Sequence, residues 1–552
     1  MRRVLKVGVL MDSLNSNSSF QKLIESLSRN NNIELILLHN NLEKIGLIQR
    51  IRKKINDEGL SRFISIVFFN LIISFEKKIT ETISKKFLKD MKNVMIPEEI
   101  FIKKYIINPI FYKKYFVKYS KADIKIVKNL NLDFILRGNG SGIFKGEILK
   151  SSKFGLLSLH HGDNQWNRGG PPGFWEVYLS KRKSGFIIQI CNEKLDDGDV
   201  IFRGETATKS TYLRNRINLS KISYPFLEDI FNYVILNQKL PSIYPKNNIK
   251  AKLYKVPSFG KTLYYLYKIS KFFIKKFFQR IILRKKQVWH IAYQENNWKN
   301  LNFSNFHTIE NPKGRFFADP FMFENKNKKV IFVEDYSFKE KIGTISAISL
   351  NKNKFKIFEN IINEDFHLSF PFVFSFKNKI YMIPESKQNR TIKLYECTSF
   401  PNDWKFSHNI MENVNAVDSI VFYKKPYWWL LTNLCDDDSQ DSSSMLHAFY
   451  SDSPLSNNWK PHNKNPIVFS SDKSRNGGII YEDNSILRVR QSYGFNKYGE
   501  KISISKIVKL DPDNFEEKEV KIINPSSLGR KIKFTHHLNG NKKFTVIDFA
   551  KH

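Results

Sequence analysis

Two histidines and a carboxylate-rich turn follow neighbouring apolar runs near the middle of this 552-residue chain. His160 and His161 come directly after the apolar run 154–159, which predicts a buried strand. A second apolar run, 185–191, leads to Asp196 at the beginning of an aspartate-rich tight turn. Because open α/β sheets carry their functional groups at strand ends, we expect His160 and Asp196 to lie close together. An imidazole paired with a carboxylate is suited to general acid–base catalysis.

Two glycine-rich turns accompany these residues. The first joins the two predicted strands, contains Asn164, Arg168 and Gly169, and precedes an apolar run at 174–179 that predicts a short helix. The second follows a predicted strand at 132–136 and is formed by Arg137, Gly138, Asn139 and Gly140. Taken singly, such turns are typical of ordinary loops, but their joint order and spacing favour a site.

This combination resembles the catalytic core of the folate-dependent formyltransferases. The family signature is Asn-x-His, then an Arg-Gly and Pro-rich turn, then Asp-x-Gly, and this chain has His160, Asp196 and Gly198 at those places. The separation of 36 residues between His160 and Asp196 is the usual family spacing. The chain departs from the signature at Ser158, where the family has asparagine.

The resemblance implies roles for these residues. His160 would handle the proton and polarise the intermediate, and Asp196 would hold that histidine or take a proton through water. Ser158 replaces the amide that holds the formyl oxygen. A serine hydroxyl is a single donor where an amide offers two, so Asn164 or Asn139 would have to substitute for it in space. Residues implied to bind substrate or co-substrate are Arg137, Gly138, Asn139, Gly140, Asn164, Arg168 and Gly198. The implied co-substrate is formyl-tetrahydrofolate, and no metal is expected.

Residues 1–240 are predicted to form an α/β domain with an open, Rossmann-like sheet. Apolar runs at 5–11 and 33–38 predict its first strands, and the chain lacks the GxGxxG fingerprint of dinucleotide-binding proteins. The segment 42–119 is predicted to be a mostly helical insertion, whose apolar run 63–75 is too short for a confident membrane span and indicates a buried or interfacial helix.

The segment 241–287 is predicted to be a linker with a basic, aromatic helix at 261–286. Alternating aromatic and cationic residues on a helix suit an anionic membrane surface, and they equally suit a helix packed on one domain with a solvated basic face.

From residue 288 onwards, short strands and turns predict an all-β domain. An apolar strand after a polar turn recurs five times, beginning near 329, 379, 426, 485 and 543. A period of about 50 to 60 residues with several strands per repeat indicates a β-propeller, here with five blades.

This second half resembles the N-terminal domain of plant glucosamine inositolphosphorylceramide transferases and, more distantly, the five-bladed propellers of glycosidases. The motifs that carry the resemblance contain Asp319, Glu385, Asp418 and Arg475, which we expect to converge at the propeller centre. Carboxylates at such a centre either bind sugar hydroxyls or divide acid and base roles in catalysis.

The chain is strongly basic, with a formal net charge of +37, which favours anionic partners. No nucleic-acid recognition motif is present, so nucleic acid is not expected as a partner. The three cysteines form no disulfide pattern, which agrees with a reducing cytoplasm. A contact of the basic helix with anionic lipid would place the protein at the inner face of the membrane.

The favoured function is formyl transfer to the amine of a nucleotide-linked amino sugar or glycan in surface polysaccharide biosynthesis. Two alternatives stay open: an inactive formyltransferase scaffold that carries a carbohydrate-binding propeller, and a glycan-modifying enzyme based on the propeller itself.

Overall fold

The computed structural model describes residues 4–42, 46–83, 92–113, 115–140, 142–245, 251–278, 287–301, 303–326, 328–351, 354–435, 441–482, 485–495 and 497–551. The chain forms two compact units, Met1–Ile282 and Leu283–His552. The multidomain α/β-plus-β architecture expected from the sequence is therefore present.

The strands of the first unit include all those predicted around the two glycine-rich turns. The predicted strands 5–11, 33–38, 132–136, 154–159 and 185–191 end within two residues of the observed ones. In chain order the strands are β1 Leu5–Met11, β2 Asn15–Asn17, β3 Ile33–Asn40, β4 Asn93–Met95, β5 Lys103–Ile107, β6 Pro109–Tyr112, β7 Phe116–Tyr119, β8 Phe134–Arg137, β9 Ile143–Phe144, β10 Leu156–His160, β11 Asn167–Gly169, β12 Lys183–Ile190, β13 Asp199–Ala207 and β14 Lys252–Tyr254.

Seven of these strands form one mixed sheet in the order β13-β12-β10-β8-β1-β3-β5. The strands from β10 to β5 are parallel, β12 runs antiparallel to them, and β13 pairs antiparallel with β12 and so runs in their direction again. The central strands read as continuous apolar runs because helices cover both faces of a parallel sheet. Parallel strands end at one edge, and this arrangement brings the loops after β1, β8 and β10 together.

Local signals explain where the helices begin. The Asn17 side chain caps the first helix by accepting from the Phe20 N–H, and Ser120 caps the fourth in the same way. Pro225 begins the seventh, where its missing N–H costs nothing. The helices are α1 Ser18–Ser28, α2 Leu47–Glu58, α3 Leu60–Ile83, α4 Lys121–Asn129, α5 Phe174–Tyr178, α6 Tyr212–Ser223, α7 Pro225–Asn237, α8 Phe259–Phe277 and, in the second unit, α9 Pro525–Leu528.

The prediction of a mostly helical insertion over 42–119 is wrong for its second half. After α2 and α3 the chain forms β4 to β7, and β5 pairs in parallel with β3 as the edge strand of the main sheet. These short strands combine β-branched and aromatic residues with lysines that face solvent. The lysines obscure the alternation that would otherwise indicate strands.

The segment 241–287, predicted as a linker, contributes to the first unit. β14 pairs in parallel with β11, and α8 packs on α3 through a cluster that includes Phe69, Ile72, Tyr265 and Ile269. The predicted helix is present as α8, and residues 279–286 lie outside the described part of the chain. Among the described residues, no single helix is long and apolar enough to cross a membrane; α2 and α3 meet that criterion only as a pair bent by 120°.

The second unit is β-rich, and each of the five recurring apolar runs overlaps a strand. Its strands are β15 Trp289–Gln294, β16 His307–Ile309, β17 Arg315–Asn325, β18 Lys328–Ser337, β19 Ile342–Asn351, β20 Lys354–Ile362, β21 Ser369–Phe376, β22 Lys379–Ser386, β23 Thr391–Ser399, β24 Asp403–Glu412, β25 Ala416–Lys424, β26 Tyr427–Leu434, β27 Met445–Ser451, β28 Lys460–Pro461, β29 Val468–Phe469, β30 Asn476–Glu482, β31 Ser485–Gly494, β32 Lys497–Asp511, β33 Asn514–Ile523, β34 Leu538–Gly540 and β35 Thr545–Ala550.

The strands of this unit are grouped into sheets in chain order. β17 to β20 and β21 to β24 form four-stranded sheets, and β25 to β29 form a five-stranded one. The remaining strands form one eight-stranded sheet, because a parallel bridge joins β30 to β34. Hydrogen bonding among the described strands thus gives four sheets, and the five-bladed propeller stays a prediction.

A repeated irregularity marks the first strand of four hairpins. In the pairing of β17, β21, β25 and β30 with the next strand, two residues oppose one, so the register shifts by one residue at Asp319-Pro320, Phe370-Pro371, Asp418-Ser419 and Gly477-Gly478. Asp319, Phe370 and Asp418 have left-handed backbones, with φ of 48°, 45° and 51°. Such strain costs about 1–3 kcal/mol per residue and concentrates at functional sites, so these bulges point to one.

We expect the fragment 283–552 to fold alone and to unfold cooperatively with a β-type circular dichroism spectrum. The reason is that β15, near the N-terminus of the fragment, pairs with β35 near its C-terminus, so the fragment contains the strand pairing that joins its two ends. The matched control is 297–552, which lacks β15 and should melt at a lower temperature. A helical spectrum, or equal melting of both fragments, would contradict this prediction.

Candidate active site

The side chains of His160 and Asp196 meet at one edge of the main sheet. His160 is the last residue of β10, and Asp196 lies in the loop between β12 and β13. His160 Nδ1 is 3.4 Å from Asp196 Oδ1, and both side chains are nearly buried. Asp196 Oδ2 accepts a 2.9 Å hydrogen bond from the Gly169 N–H, which fixes the carboxylate. The structure thus brings together the pair singled out in the sequence.

The surroundings of His160 keep its ring neutral and leave Nε2 open. Burial lowers the pKa of His160, the Asp196 carboxylate raises it, and Arg137 lowers it, with a net decrease. A carboxylate facing Nδ1 favours the tautomer with its proton there, so Nε2 carries the lone pair. A Cβ at Gly162 would lie 2.7 Å from Nε2, so only glycine leaves this nitrogen accessible. His160 is therefore placed to accept a proton.

His161 points elsewhere although it is adjacent in sequence. Its Nε2 lies 2.9 Å from Ser223 Oγ, and its ring contacts Tyr224. Burial lowers the pKa of His161 to about 3, with smaller contributions from His160 and Arg216. A neutral, hydrogen-bonded ring in this setting is structural.

The Ser158 hydroxyl is buried against the next strand. It is a hydrogen-bond partner of the Cys191 thiol, whose pKa burial raises to about 11. Neither asparagine considered as a substitute is free to replace the family amide. Asn164 donates to the Asp196 carbonyl and accepts from Arg203, and Asn139 bonds the backbone of Asp12 and Ser13.

The glycine-rich loop after β8 is shaped by its own arginine. Arg137 donates to the carbonyls of Gly140 and Gly142, at 2.9 and 3.0 Å. A Cβ at Gly138 would lie 2.8 Å from the Met11 side chain, so the loop needs glycine to approach β1. Gly198 is similarly constrained, since a Cβ there would lie 2.2 Å from the Ile190 carbonyl. These residues build the walls of the site.

A narrow pocket, with a cavity volume of about 20 Å³, lies beside Asp196. Its lining includes Arg137, Phe144, Gln189, Cys191 and Asn192. An aromatic ring, a cation and amides are groups that can contact an organic anion.

The Arg168 side chain lies where β11 pairs with β14, in the segment predicted as a linker, and it does not line this pocket. It donates to the Ala251 carbonyl at 3.2 Å and so holds β14 beside β11. Arg203 on β13 pairs with Asp163 and donates to Asn164 at 3.0 Å, a role that was not predicted from the sequence. No local pattern distinguishes this arginine from other charged strand residues.

In the second unit, the four residues predicted at the propeller centre do converge. Arg475 Nε donates to Asp418 Oδ2 at 2.6 Å, and Glu385 is a hydrogen-bond partner of Asp418. Asp319 lies close enough to influence both Glu385 and Arg475 electrostatically. The cluster also contains His536, which lies between Asp319 and Asp548 at 3.1 and 2.8 Å and which the sequence analysis missed.

Burial and mutual repulsion divide the charges of this cluster. Burial raises the pKa of Glu385 and of Glu334 well above the usual range, helped by Asp418 and Asp319 respectively. Burial also opposes ionisation of Asp319, but the neighbouring His536 lowers its pKa to about 2. The carboxylates of Asp548 and Asp319 overcome burial at His536 and raise its pKa to about 10. The cluster therefore combines protonated glutamates with an ionised aspartate and an imidazolium.

Asp319, His536 and Asp548 have ligand atoms within 4.8 Å of one another, a donor set that fits a metal ion. Because the His536 ring is protonated between two carboxylates, an ion would have to displace that proton.

An open pocket lies beside Glu385 of the same cluster. It is lined by His367, Glu385, Lys387, Gln388, Arg390 and Asn415.

We expect His161 to make folding pH-dependent. Its pKa is about 3 when folded and ~6.5 when unfolded, so the unfolded chain binds more protons as pH falls below ~6.5, and stability is lost. His161→Gln removes this loss while keeping a partner for Ser223. The difference in unfolding free energy between wild type and variant should shift by about 1 kcal/mol between pH 7 and ~5.5. A constant difference, measured by urea titration, would contradict the assignment.

Comparisons with known proteins divide the chain in the same way as its fold. Residues 308–547 match the family model "Glucosamine inositolphosphorylceramide transferase 1, N-terminal". The Arabidopsis thaliana glucosamine inositolphosphorylceramide transferase 1 is 36% identical over 230 residues, covering 41% of this chain and 29% of that protein. The chain thus spans less than a third of the length of this relative.

Other relatives are formyltransferases. The methionyl-tRNA formyltransferase of Bacillus subtilis is 33% identical over 89 residues, covering 16% of this chain and 28% of that protein. The match to a solved sugar N-formyltransferase from a Shewanella species covers 48% of this chain and 87% of that protein at 15% identity, with a TM-score of 0.28. The resemblance of the second half to the N-terminal domain of the plant transferases and of the first half to formyltransferases is therefore confirmed.

Proposed function

We propose that the first unit transfers a formyl group from formyl-tetrahydrofolate to the amine of a nucleotide-linked amino sugar. The observation that carries the proposal is the His160–Asp196 pair, 3.4 Å apart at the strand edge, with Asp196 fixed by the Gly169 N–H. Phe144 and Arg137 line the narrow pocket beside Asp196, and their ring and cation have the chemistry to contact an aromatic, anionic co-substrate. When bound, that co-substrate supplies the formyl carbon that the amine attacks.

The proton transfers follow from the geometry of His160. Attack of an amine on a formyl carbon gives a tetrahedral oxyanion and leaves a proton on nitrogen. Nε2 of the neutral ring accepts that proton, and the imidazolium is stabilised by Asp196 at Nδ1. The same proton is then available to the folate nitrogen when its bond to carbon breaks, so one histidine serves both halves of the reaction.

Ser158 leaves the oxyanion with fewer donors than the formyltransferase signature provides. Its hydroxyl is shared with the Cys191 thiol, and the side chain of Asn164 is bonded to Asp196 and Arg203. The imidazolium form of His160 would therefore carry more of the oxyanion stabilisation here.

An amino sugar is the acceptor that the relatives of the second half favour. They include a glucosamine inositolphosphorylceramide transferase. A basic chain favours the diphosphate of a nucleotide-linked sugar. Folate and nucleotide-linked sugars are substrates found in the cytoplasm, where we propose that the protein acts.

His160→Asn is expected to lower formyl transfer by about a hundred- to ten-thousand-fold, the usual effect of losing general acid–base catalysis. The rates of Asp196→Asn and of the double variant should fall by similar factors, because the effects of substituting residues that act as a unit are not additive. His161→Asn is the matched control and should stay near wild type, since its ring bonds Ser223. The assay measures transfer from formyl-tetrahydrofolate to a panel of nucleotide-linked amino sugars.

Ser158→Asn separates the active enzyme from the inactive scaffold. If the first unit is active, this variant keeps or increases the rate. Transfer by the variant and none by wild type would replace the proposal with the scaffold alternative. Equal rates for His160→Asn and wild type would remove His160 from the mechanism.

A second candidate function concerns the second unit, which we propose to be a five-bladed propeller that binds glycan. Its support is that β17, β21, β25 and β30 contact one another in succession, while β34 pairs with β30 and contacts β17. The carboxylate cluster lies where these strands carry their bulges, and the open pocket beside Glu385 offers cationic and amide side chains to sugar hydroxyls.

The raised pKa of Glu385 gives a test that distinguishes binding from catalysis. Glu385→Gln mimics the protonated side chain, so glycan affinity should stay within about threefold of wild type, whereas Glu385→Ala should lose at least about tenfold by leaving Asp418 without this partner. Glu516→Gln, at an exposed position, is the control. Binding is measured by calorimetry with glycans selected on an array. Sugar cleavage by wild type that Glu385→Gln abolishes would instead favour the glycan-modifying alternative.

A further inference from the structure

An exposed apolar stripe runs along α3. Leu60, Ile64, Val67, Leu71 and Phe75 recur every three or four residues, and each has between 41 and 61% of its surface exposed. This spacing places them on one face of the helix. The opposite face is buried in the unit, so α3 is apolar on two sides.

A second exposed stripe runs along α8. Leu263, Tyr267, Ile274 and Phe277 are four, seven and three residues apart, which places them on one face, and between 44 and 59% of their surface is exposed. The buried face of this helix is formed by residues such as Tyr265 and Ile269.

The two stripes lie on the same side of the helix pair. The rings of Phe68 and Phe259 are 4.3 Å apart, and the Tyr265 hydroxyl donates to Glu76 at 2.7 Å. The second contact lies further along both helices than the first, from Phe68 to Glu76 on α3 and from Phe259 to Tyr265 on α8, so the two helices run parallel. Phe68 and Phe259 flank their respective stripes, so the exposed residues form one continuous apolar face, which we call the α3–α8 face.

The charges around the α3–α8 face are mostly positive. The described side chains of α8 include Lys261, Lys268, Lys271 and Lys275 and no acidic residue, whereas α2 and α3 also contain Asp57, Glu58 and Glu81. Lys271 and Lys275 are exposed beside the stripe, and Arg50, Arg52 and Lys53 are exposed on α2 next to α3.

We infer that the α3–α8 face docks on the surface of an anionic lipid bilayer, with both helices in the plane of the interface. A contiguous exposed apolar face of this kind marks an interaction site. Aromatic and aliphatic side chains would enter the acyl boundary, while the lysines contact anionic headgroups. Two copies of this face would place like charges against each other, so charge complementarity favours lipid over self-association.

The first test is co-sedimentation of the full-length protein with sucrose-loaded vesicles of phosphatidylcholine, with or without phosphatidylglycerol. Wild type should bind the anionic vesicles at least about tenfold more strongly than the neutral ones. Lys271→Gln with Lys275→Gln should weaken anionic binding by about thirtyfold, since each basic residue contributes ~1 kcal/mol. Leu71→Ser, Phe75→Ser, Tyr267→Ser and Ile274→Ser together should weaken it by at least about tenfold.

The matched control replaces four exposed apolar residues of the second unit, Phe406, Val508, Val520 and Ile522, with serine. It should bind vesicles like wild type. Equal binding to neutral and anionic vesicles, no binding by wild type, or equal loss in the control would overturn the inference. So would a wild-type dimer, seen by sedimentation velocity, that the stripe variant converts to a monomer without any vesicle binding.

Discussion

The carboxylate of Asp196 is the contact on which the candidate active site depends. One oxygen accepts from the Gly169 N–H and the other faces His160, so this side chain joins the glycine-rich turn to the end of β10. Its backbone is left-handed, with φ of 50°, a conformation kept only where the surroundings hold it. The turn leads directly into α5, whose Phe174 packs in the same cluster as α3 and α8. The site and the α3–α8 face therefore share one framework.

The second unit contains a cluster of buried carboxylates that need positively charged partners. Asp319, Asp418 and Asp548 are buried, and an isolated buried carboxylate would be strongly unfavourable. Arg475 compensates Asp418, and His536 lies between the other two. Such a centre resembles a binding or catalytic site more than a core, because a fold gains little stability from buried ion pairs alone.

Local patterns predicted much of this architecture. The strands around His160 and Asp196 are continuous apolar runs bounded by glycine, and their ends were predicted within two residues because turn residues mark them. The recurring apolar strands of the second half were recognisable for the same reason. The strands between 93 and 119 were missed, because lysines on their solvent side hide the alternation.

The sequence by itself determined the elements, the order of the motifs and the pairing of His160 with Asp196, since strand ends and loop lengths are local properties. Only the tertiary structure decided which polar groups are already engaged. In the folded protein Arg203 donates to Asn164, Arg168 donates to the Ala251 carbonyl beside β14, and His536 lies between two aspartates. These contacts join residues far apart in the chain, and no local periodicity encodes them. The same holds for the α3–α8 face, because a helix that is apolar on two sides does not indicate which side is buried.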